Sequence, residues 1–164
     1  MKRLFDISFA VVLLVVASPL LLIAALAVMA TSPGGVLFHA KRVGKGGVPY
    51  IMYKLRTMTS GAEKGAPVTL RGDSRITPVG KLLRISKLDE LPQLFNVLNG
   101  DMSVVGPRPE DPCLVEKYYD ARMRQTLDYK PGLTSPGTIL YIRELSKMLP
   151  DTNDMDTYAR LVLM

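Results

Sequence analysis

The chain has 164 residues, a formal charge of +6, a pI near 9.5 and 48% hydrophobic residues, which is enough for about one domain. The single cysteine, Cys113, excludes an intramolecular disulfide, and the lone His39 argues against a dedicated zinc site; both suit a reducing cytoplasmic setting. The basic balance suits an anionic partner, whether phospholipid headgroups, nucleotide diphosphates or nucleic acid.

The apolar residues are concentrated in one early block. Residues 7–30 are almost wholly apolar, about 24 residues or roughly 36 Å as a helix, against a hydrocarbon core of about 30 Å. A cleavable secretory signal has a shorter apolar core and ends in a small-residue site, whereas this run continues into Thr31-Ser32-Pro33-Gly34-Gly35. Ser18-Pro19 interrupts it: proline removes one helical N–H and crowds the carbonyl four residues back, so a break is predicted there. Lys2 and Arg3 precede the run and Lys41, Arg42 and Lys45 follow it, so the positive-inside rule asks for both ends in the cytoplasm. A re-entrant helix-break-helix over residues 1–34 meets that demand, with the Ser18 hydroxyl taking a carbonyl freed at the bend. An ordinary kinked span is the alternative.

Residues 36–42 and 49–56 read as two strands around Gly44-Lys45-Gly46-Gly47, a hairpin signal carrying Lys41, Arg42, Lys54 and Arg56. Taken alone, those charges are more simply those of a solvated basic hairpin resting on lipid headgroups. Residues 60–73 are polar and without a period, and read as a mobile loop. Thr77-Pro78 then opens a short helix to residue 86, threonine capping and proline at the first helical position.

The densest stretch follows. Leu91, Leu94, Phe95 and Leu98 have helical spacing and Asn99-Gly100 is a stop signal. Pro92 is tolerated only in the first turn, which places Asp89 and Glu90 at a helix N-terminus. There the helix dipole favours an ionised carboxylate, and free N–H groups favour a phosphate. An ionised aspartate can attack phosphorus while a neighbouring glutamate holds a magnesium that grips a diphosphate. The same Ser86-x-x-Asp89 spacing also reads simply as a capping box. Arg108, between Pro107 and Pro109 after Gly106, is a stiffly held guanidinium suited to phosphate, or else a surface turn residue. Residues 110–128 read as a charged, solvated helix, and Lys130-Pro131-Gly132-Leu133-Thr134-Ser135-Pro136-Gly137 as a second loop.

In order and spacing these segments resemble the bacterial sugar transferase family, the monotopic phosphoglycosyl transferases that initiate glycan assembly. The resemblance rests on Lys2-Arg3-Leu4-Phe5-Asp6, the Ser18-Pro19 break, Arg42-Val43-Gly44, Tyr53-Lys54-Leu55-Arg56-Thr57-Met58, Asp73-Ser74-Arg75-Ile76-Thr77-Pro78-Val79-Gly80, Leu88-Asp89-Glu90-Leu91-Pro92-Gln93-Leu94, the run from Asn99 through Gly106-Pro107-Arg108-Pro109, and Lys130-Pro131-Gly132-Leu133-Thr134. It implies an α+β, predominantly helical fold: a re-entrant membrane hairpin at 1–34 and, at 35–164, a small cytoplasmic catalytic domain containing a β-hairpin. It implies that Asp89 attacks the β-phosphate of a UDP-sugar, releasing UMP, and that polyprenyl (undecaprenyl) phosphate then takes the phosphosugar from the aspartate. Glu90 would bind or position Mg2+, and Arg108 would hold the nucleotide. Lys54, Arg56 and Arg84, with Arg75 behind them, would neutralise phosphate oxygens, since phosphoryl transfer is mainly positioning and charge stabilisation. The implied setting is the cytoplasmic face of a bacterial inner membrane, among phospholipid and downstream glycosyltransferases, in exopolysaccharide, O-antigen, capsule or glycoprotein glycan synthesis.

Two departures stand out. Many members continue after Thr134 with a Gly-Leu-Ala-Gln type run, while here Ser135-Pro136-Gly137-Thr138-Ile139-Leu140-Tyr141 resembles one subset and points to a different donor. The chain also ends at Met164 inside what resembles an unfinished helix, so the domain is expected to be C-terminally incomplete; nothing multi-spanning precedes Met1, as in the minimal catalytic form. A non-catalytic membrane adaptor with a basic lipid-binding face is the competing reading. Nucleic-acid binding is disfavoured, because there is no tryptophan and few aromatics interleave with the basic residues.

Overall fold

The computed structural model describes residues 1–62, 73–135 and 137. The mobile loop expected at 60–73, the continuation from Pro136 to Tyr141 and the unfinished helix near Met164 lie almost entirely outside the described residues. As expected, the described chain is predominantly helical with small sheets.

Helix α1 (Lys2–Thr31) is one hydrogen-bonded element with Pro19 inside it. Pro19 cannot donate to the Val15 carbonyl, and the Ser18 hydroxyl donates to that same carbonyl at 2.8 Å, so the bond lost to the ring is replaced from one residue earlier. The helix buries only Asp6, Ala10, Ala24 and Val28. These lie on one stripe with the half-buried Leu13, Leu14 and Leu21, the spacing of a single helical face. The opposite face bears Val12, Val16, Leu22, Ile23 and Leu26, all exposed.

Strands β1 (Leu37–Val43) and β2 (Pro49–Leu55) form the expected antiparallel hairpin, Leu37 opposite Leu55 and Val43 opposite Pro49. The turn needs glycine: Gly46 and Gly47 have φ of +69° and +78°, where other residues are strained. Alternation puts Ala40 and Met52, paired across the strands, into a core with Ala10, Leu94, Val97, Met102 and Val104. A second core joins Ala24 and Val28 of α1 to Leu55 and Leu83.

Helix α2 (Pro78–Ser86) begins as expected, Thr77 Oγ1 accepting the Gly80 N–H at 2.9 Å with Pro78 in the first turn. Lys87 closes it with φ 61°, the only non-glycine residue of positive φ among the described residues. A 3-10 turn (Leu88–Glu90) leads to α3 (Gln93–Asn99), which stops at Gly100 with φ 94°. The fully buried Asn96 fastens α3 to the edge of β2: Tyr53 N–H donates to its Oδ1 at 3.0 Å and its Nδ2 donates to the Ile51 carbonyl at 2.6 Å.

Strand β3 (Ser103–Val105) pairs in parallel with β4 (Gly132–Thr134), so three residues of the second proline-glycine segment form a strand where a loop was expected. Gly106 explains the closeness: a Cβ there would lie 2.2 Å from the Lys130 carbonyl oxygen. The solvated helix read at 110–128 is instead α4 (Pro112–Tyr118), α5 (Ala121–Arg124) and a closing 3-10 turn. Asp111 and Asp120 cap separate starts at 3.0 and 2.7 Å, and Glu110 is buried.

Candidate active site

Asp89 and Glu90 sit in the 3-10 turn between α2 and α3, one step before the helix where the proline argument places them. The capping role is not seen. Ser86 Oγ donates backwards to the Leu82 and Leu83 carbonyls at 2.9 and 3.1 Å, and α3 has no side-chain cap. Of the N–H groups around the turn, those of Glu90, Leu91, Leu94 and Phe95 donate to the carbonyls of Lys87, Leu88, Leu91 and Pro92 at 3.2, 3.3, 3.0 and 3.1 Å.

The Asp89 side chain is 7% exposed as a residue, and its Oδ1 has no hydrogen-bond partner. A buried oxygen without a partner is costly. Burial raises the carboxyl above its usual range, adjacent Glu90 adds to that, and Lys54, Arg84 and Lys87 pull the other way. Glu90 has the opposite outcome. Burial would raise it, but Lys54, whose Nζ lies 2.9 Å from Oε1, with Lys87 and Arg108 beyond, brings it below its usual value. Two neighbouring carboxyls are thus driven apart, a pattern common where such groups have chemical work.

The cations expected at the site divide into two sets. Lys54 reaches it from β2 through Glu90. Arg84, on α2, acts on Asp89 through its charge, and its Nε donates to Thr57 Oγ1 at 2.8 Å; burial lowers its pKa while Asp89 and Asp73 support its charge. Arg108 is exposed, with Nε 3.1 Å from Glu110 Oε1, and its charge reaches Glu90. Arg56 is turned elsewhere: it donates to the Pro33 and Ser32 carbonyls at 2.7 and 2.6 Å, clasping the end of α1. Arg75 is engaged by Asp73, with Nη2 to Oδ2 at 2.6 Å, and its hydrogen bonds hold the Asp73 carboxyl at about 2.

Sequence reasoning passed over Thr57, Lys87 and Glu110. Glu110 was legible in principle, as the carboxylate two residues beyond Arg108. Thr57 and Lys87 carry no local signal, because their roles come from the docking of α2.

A divalent cation fits this site only as a shared guest. Among the described residues no three carboxylate, imidazole or thiol groups cluster to hold one. The partnerless Asp89 Oδ1 beside Glu90 nevertheless offers hard oxygen ligands, and magnesium is commonly held by one or two carboxylates plus substrate phosphates.

The other end of α1 is tied as firmly as the one Arg56 clasps. Arg3 donates to the Val97 and Leu98 carbonyls at the end of α3. Asp6 accepts from Ser103 Oγ at 2.9 Å and from Val104 N–H at 3.1 Å. Lys2 contacts the same Ser103 hydroxyl.

Residues 1–160 match the family model described as bacterial sugar transferase. A UDP-glucose:undecaprenyl-phosphate glucose-1-phosphate transferase of Caulobacter vibrioides is 46% identical over 147 residues, covering 87% of this chain and 54% of the relative. A UDP-N-acetylgalactosamine-undecaprenyl-phosphate N-acetylgalactosaminephosphotransferase of Aeromonas hydrophila is 47% identical over 118 residues, covering 71% of this chain and 28% of the relative. A UDP-glucose:undecaprenyl-phosphate glucose-1-phosphate transferase of Escherichia coli (strain K12) is 42% identical over 137 residues, covering 82% and 30%. The chain spans about half the length of the first of these and less than a third of the other two.

Proposed function

This chain belongs to the bacterial sugar transferase family, and from that premise we propose that it moves a sugar 1-phosphate from a UDP-sugar to undecaprenyl phosphate, releasing UMP, at the start of a membrane-bound glycan. The observation that carries the proposal is Asp89, a buried carboxyl whose Oδ1 has no partner, facing the charges of Lys54, Arg84 and Lys87. A carboxylate spared hydrogen bonds keeps its electron pair available, and the surrounding cations suit both its anion and an incoming diphosphate.

In the first step an Asp89 oxygen forms a bond to the β-phosphorus as the bond from that phosphorus to the α-phosphate oxygen breaks, and the electron pair leaves with UMP. In the second, an oxygen of undecaprenyl phosphate forms its bond to the same phosphorus, and the aspartate leaves as the carboxylate. Neither step needs a proton, so the protein's part is placement and charge. Lys54, Arg84 and Arg108 supply positive charge, and Glu90 is kept ionised by Lys54. Magnesium, held by Glu90 with Asp89 alongside, would supply further neutralisation of the diphosphate oxygens. Arg56 serves α1 and Arg75 serves Asp73, so both act here as structural residues.

The second part of the proposal is topological: α1 enters and leaves the membrane from the cytoplasmic face of the inner membrane. Support comes from its two ends, which are bonded to one small domain through Arg3 and Asp6 at one side and Arg56 at the other. A span would set those ends about 30 Å apart across hydrocarbon that no polar clasp tolerates. Cysteines placed at Met1 and Ser60 should label from the same side.

The test is UMP release in nanodiscs with magnesium, undecaprenyl phosphate and a panel of UDP-sugars, for the wild type beside Asp89→Asn and Glu90→Gln. Acceptor-dependent UMP formation that both substitutions abolish supports the proposal and identifies the donor. Release of UDP sinks the mechanism, and silence across the panel favours the adaptor reading.

A further inference from the structure

Thr57 follows Arg56 directly and is buried, a costly place for a hydroxyl unless it is used. Its Oγ1 accepts from Arg84 Nε at 2.8 Å. Its carbonyl accepts the Thr77 N–H at 3.0 Å, just before α2 begins. Gly80 lets α2 press onto it, for a Cβ there would lie 2.0 Å from the same carbonyl oxygen. Two backbone features therefore fix where Thr57 stands relative to α2, and the hydroxyl adds a third point on Arg84.

Holding a guanidinium by Nε sets the plane of the whole group, and with it the direction of the remaining donors. Arg84 is half-buried and its charge acts on Asp89, so its direction matters to that carboxyl. On the other side of Thr57, Arg56 grips the Ser32 and Pro33 carbonyls. Two consecutive residues thus connect the end of the apolar helix to the catalytic turn.

We propose that Thr57 is a positioning residue whose hydroxyl holds the Arg84 guanidinium against Asp89, in register with the end of α1. This rests on the reading of Asp89 as the nucleophile. Valine keeps the β-branched shape but cannot accept a hydrogen bond, whereas serine keeps the acceptor and loses only a methyl group. The measurement is UMP release against donor concentration for wild type, Thr57→Val, Thr57→Ser, Arg84→Lys and the Thr57→Val/Arg84→Lys double variant, all in nanodiscs.

Thr57→Val should lower kcat about tenfold, the order expected for a lost hydrogen bond to a charged group, with donor KM within about twofold. Thr57→Ser should stay near wild type. The double variant should be no slower than Arg84→Lys alone, because the hydroxyl acts through that arginine.

A valine variant with wild-type kcat overturns the proposal. So do equal losses in valine and serine, or a double variant in which the losses multiply. If valine prevents folding, a folded serine variant that has lost activity overturns it. A wild type that releases no UMP with any donor overturns the nucleophile reading itself, and this inference falls with it.

Discussion

Replacing Asp6 by alanine tests whether the apolar helix is part of the fold or merely attached to it. Asp6 is 4% exposed. It is the acceptor for both the Ser103 hydroxyl and the Val104 N–H. Alanine leaves two buried donors without an acceptor, at about 1–3 kcal/mol each. The Lys2 contact adds little, since that side chain is 65% exposed and exposed pairs contribute at most about 1 kcal/mol. The expected loss is about 3–5 kcal/mol, the usual range when one partner of a buried charged cluster is removed. Against a total of about 5–15 kcal/mol, that corresponds to a fall in Tm of roughly 6–20 °C. Asp6→Asn, which keeps one acceptor, should lose about half as much. Far-ultraviolet circular dichroism melts in nanodiscs read this directly, with Ser103→Ala and the double variant beside it; the double variant should lose less than the sum. An Asp6→Ala protein that melts with the wild type refutes the argument that this carboxylate anchors α1.

Three further substitutions probe the site. Lys54 is the largest influence lowering Glu90 against burial and also lowers Asp89, so Lys54→Met should let both carboxyls climb; in the proposed mechanism both act ionised, so the acid limb of kcat should move to higher pH, and an unmoved limb counts against the pairing. Burial raises Glu110 despite Arg108 and Arg42, so its native form holds a proton above the unfolded pKa and stability falls as pH rises from that value to the folded one. Glu110→Gln should remove that fall and retain Tm near neutral pH, while donor KM rises because Arg108 loses its charged partner. Gly80→Ala forces a Cβ to 2.0 Å from the Thr57 carbonyl oxygen, backbone that cannot yield, so α2 must shift; a loss of more than about 2 kcal/mol and of activity together is expected in the same melts and UMP assay.

Elements marked by local chemistry were legible in the sequence. The hairpin announces itself by its glycines, α2 by Thr77-Pro78, and the end of α3 by Asn99-Gly100. Asp89 and Glu90 were placed within one turn because proline has so few permitted positions. What failed depended on partners distant in the chain. Arg56 looked like a phosphate ligand because it is basic and near Lys54, yet two helix-end carbonyls from residues 32 and 33 claim it. Glu110 looked solvated because charged residues follow it, although its backbone accepts from Val43 and its carboxyl meets Arg108. Gly132 to Thr134 looked like loop because a three-residue parallel strand has no pattern of its own. At Pro19 the local chemistry was legible: the Ser18 hydroxyl takes the Val15 carbonyl that the ring leaves free.

Ala10 shares a core with Met52, Leu94 and Met102, and Ala24 and Val28 share the other with Leu55 and Leu83. The apolar helix is therefore one wall of each core, and a water-soluble version made by deleting it would open both at once. The bilayer becomes a thermodynamic component of the folded protein: whatever solvates the outer face of α1 also sets how firmly its inner face supports Leu83 and, one residue on, Arg84. Detergent extraction and changes of lipid are then perturbations of the turn that carries Asp89, applied from the far side of a helix.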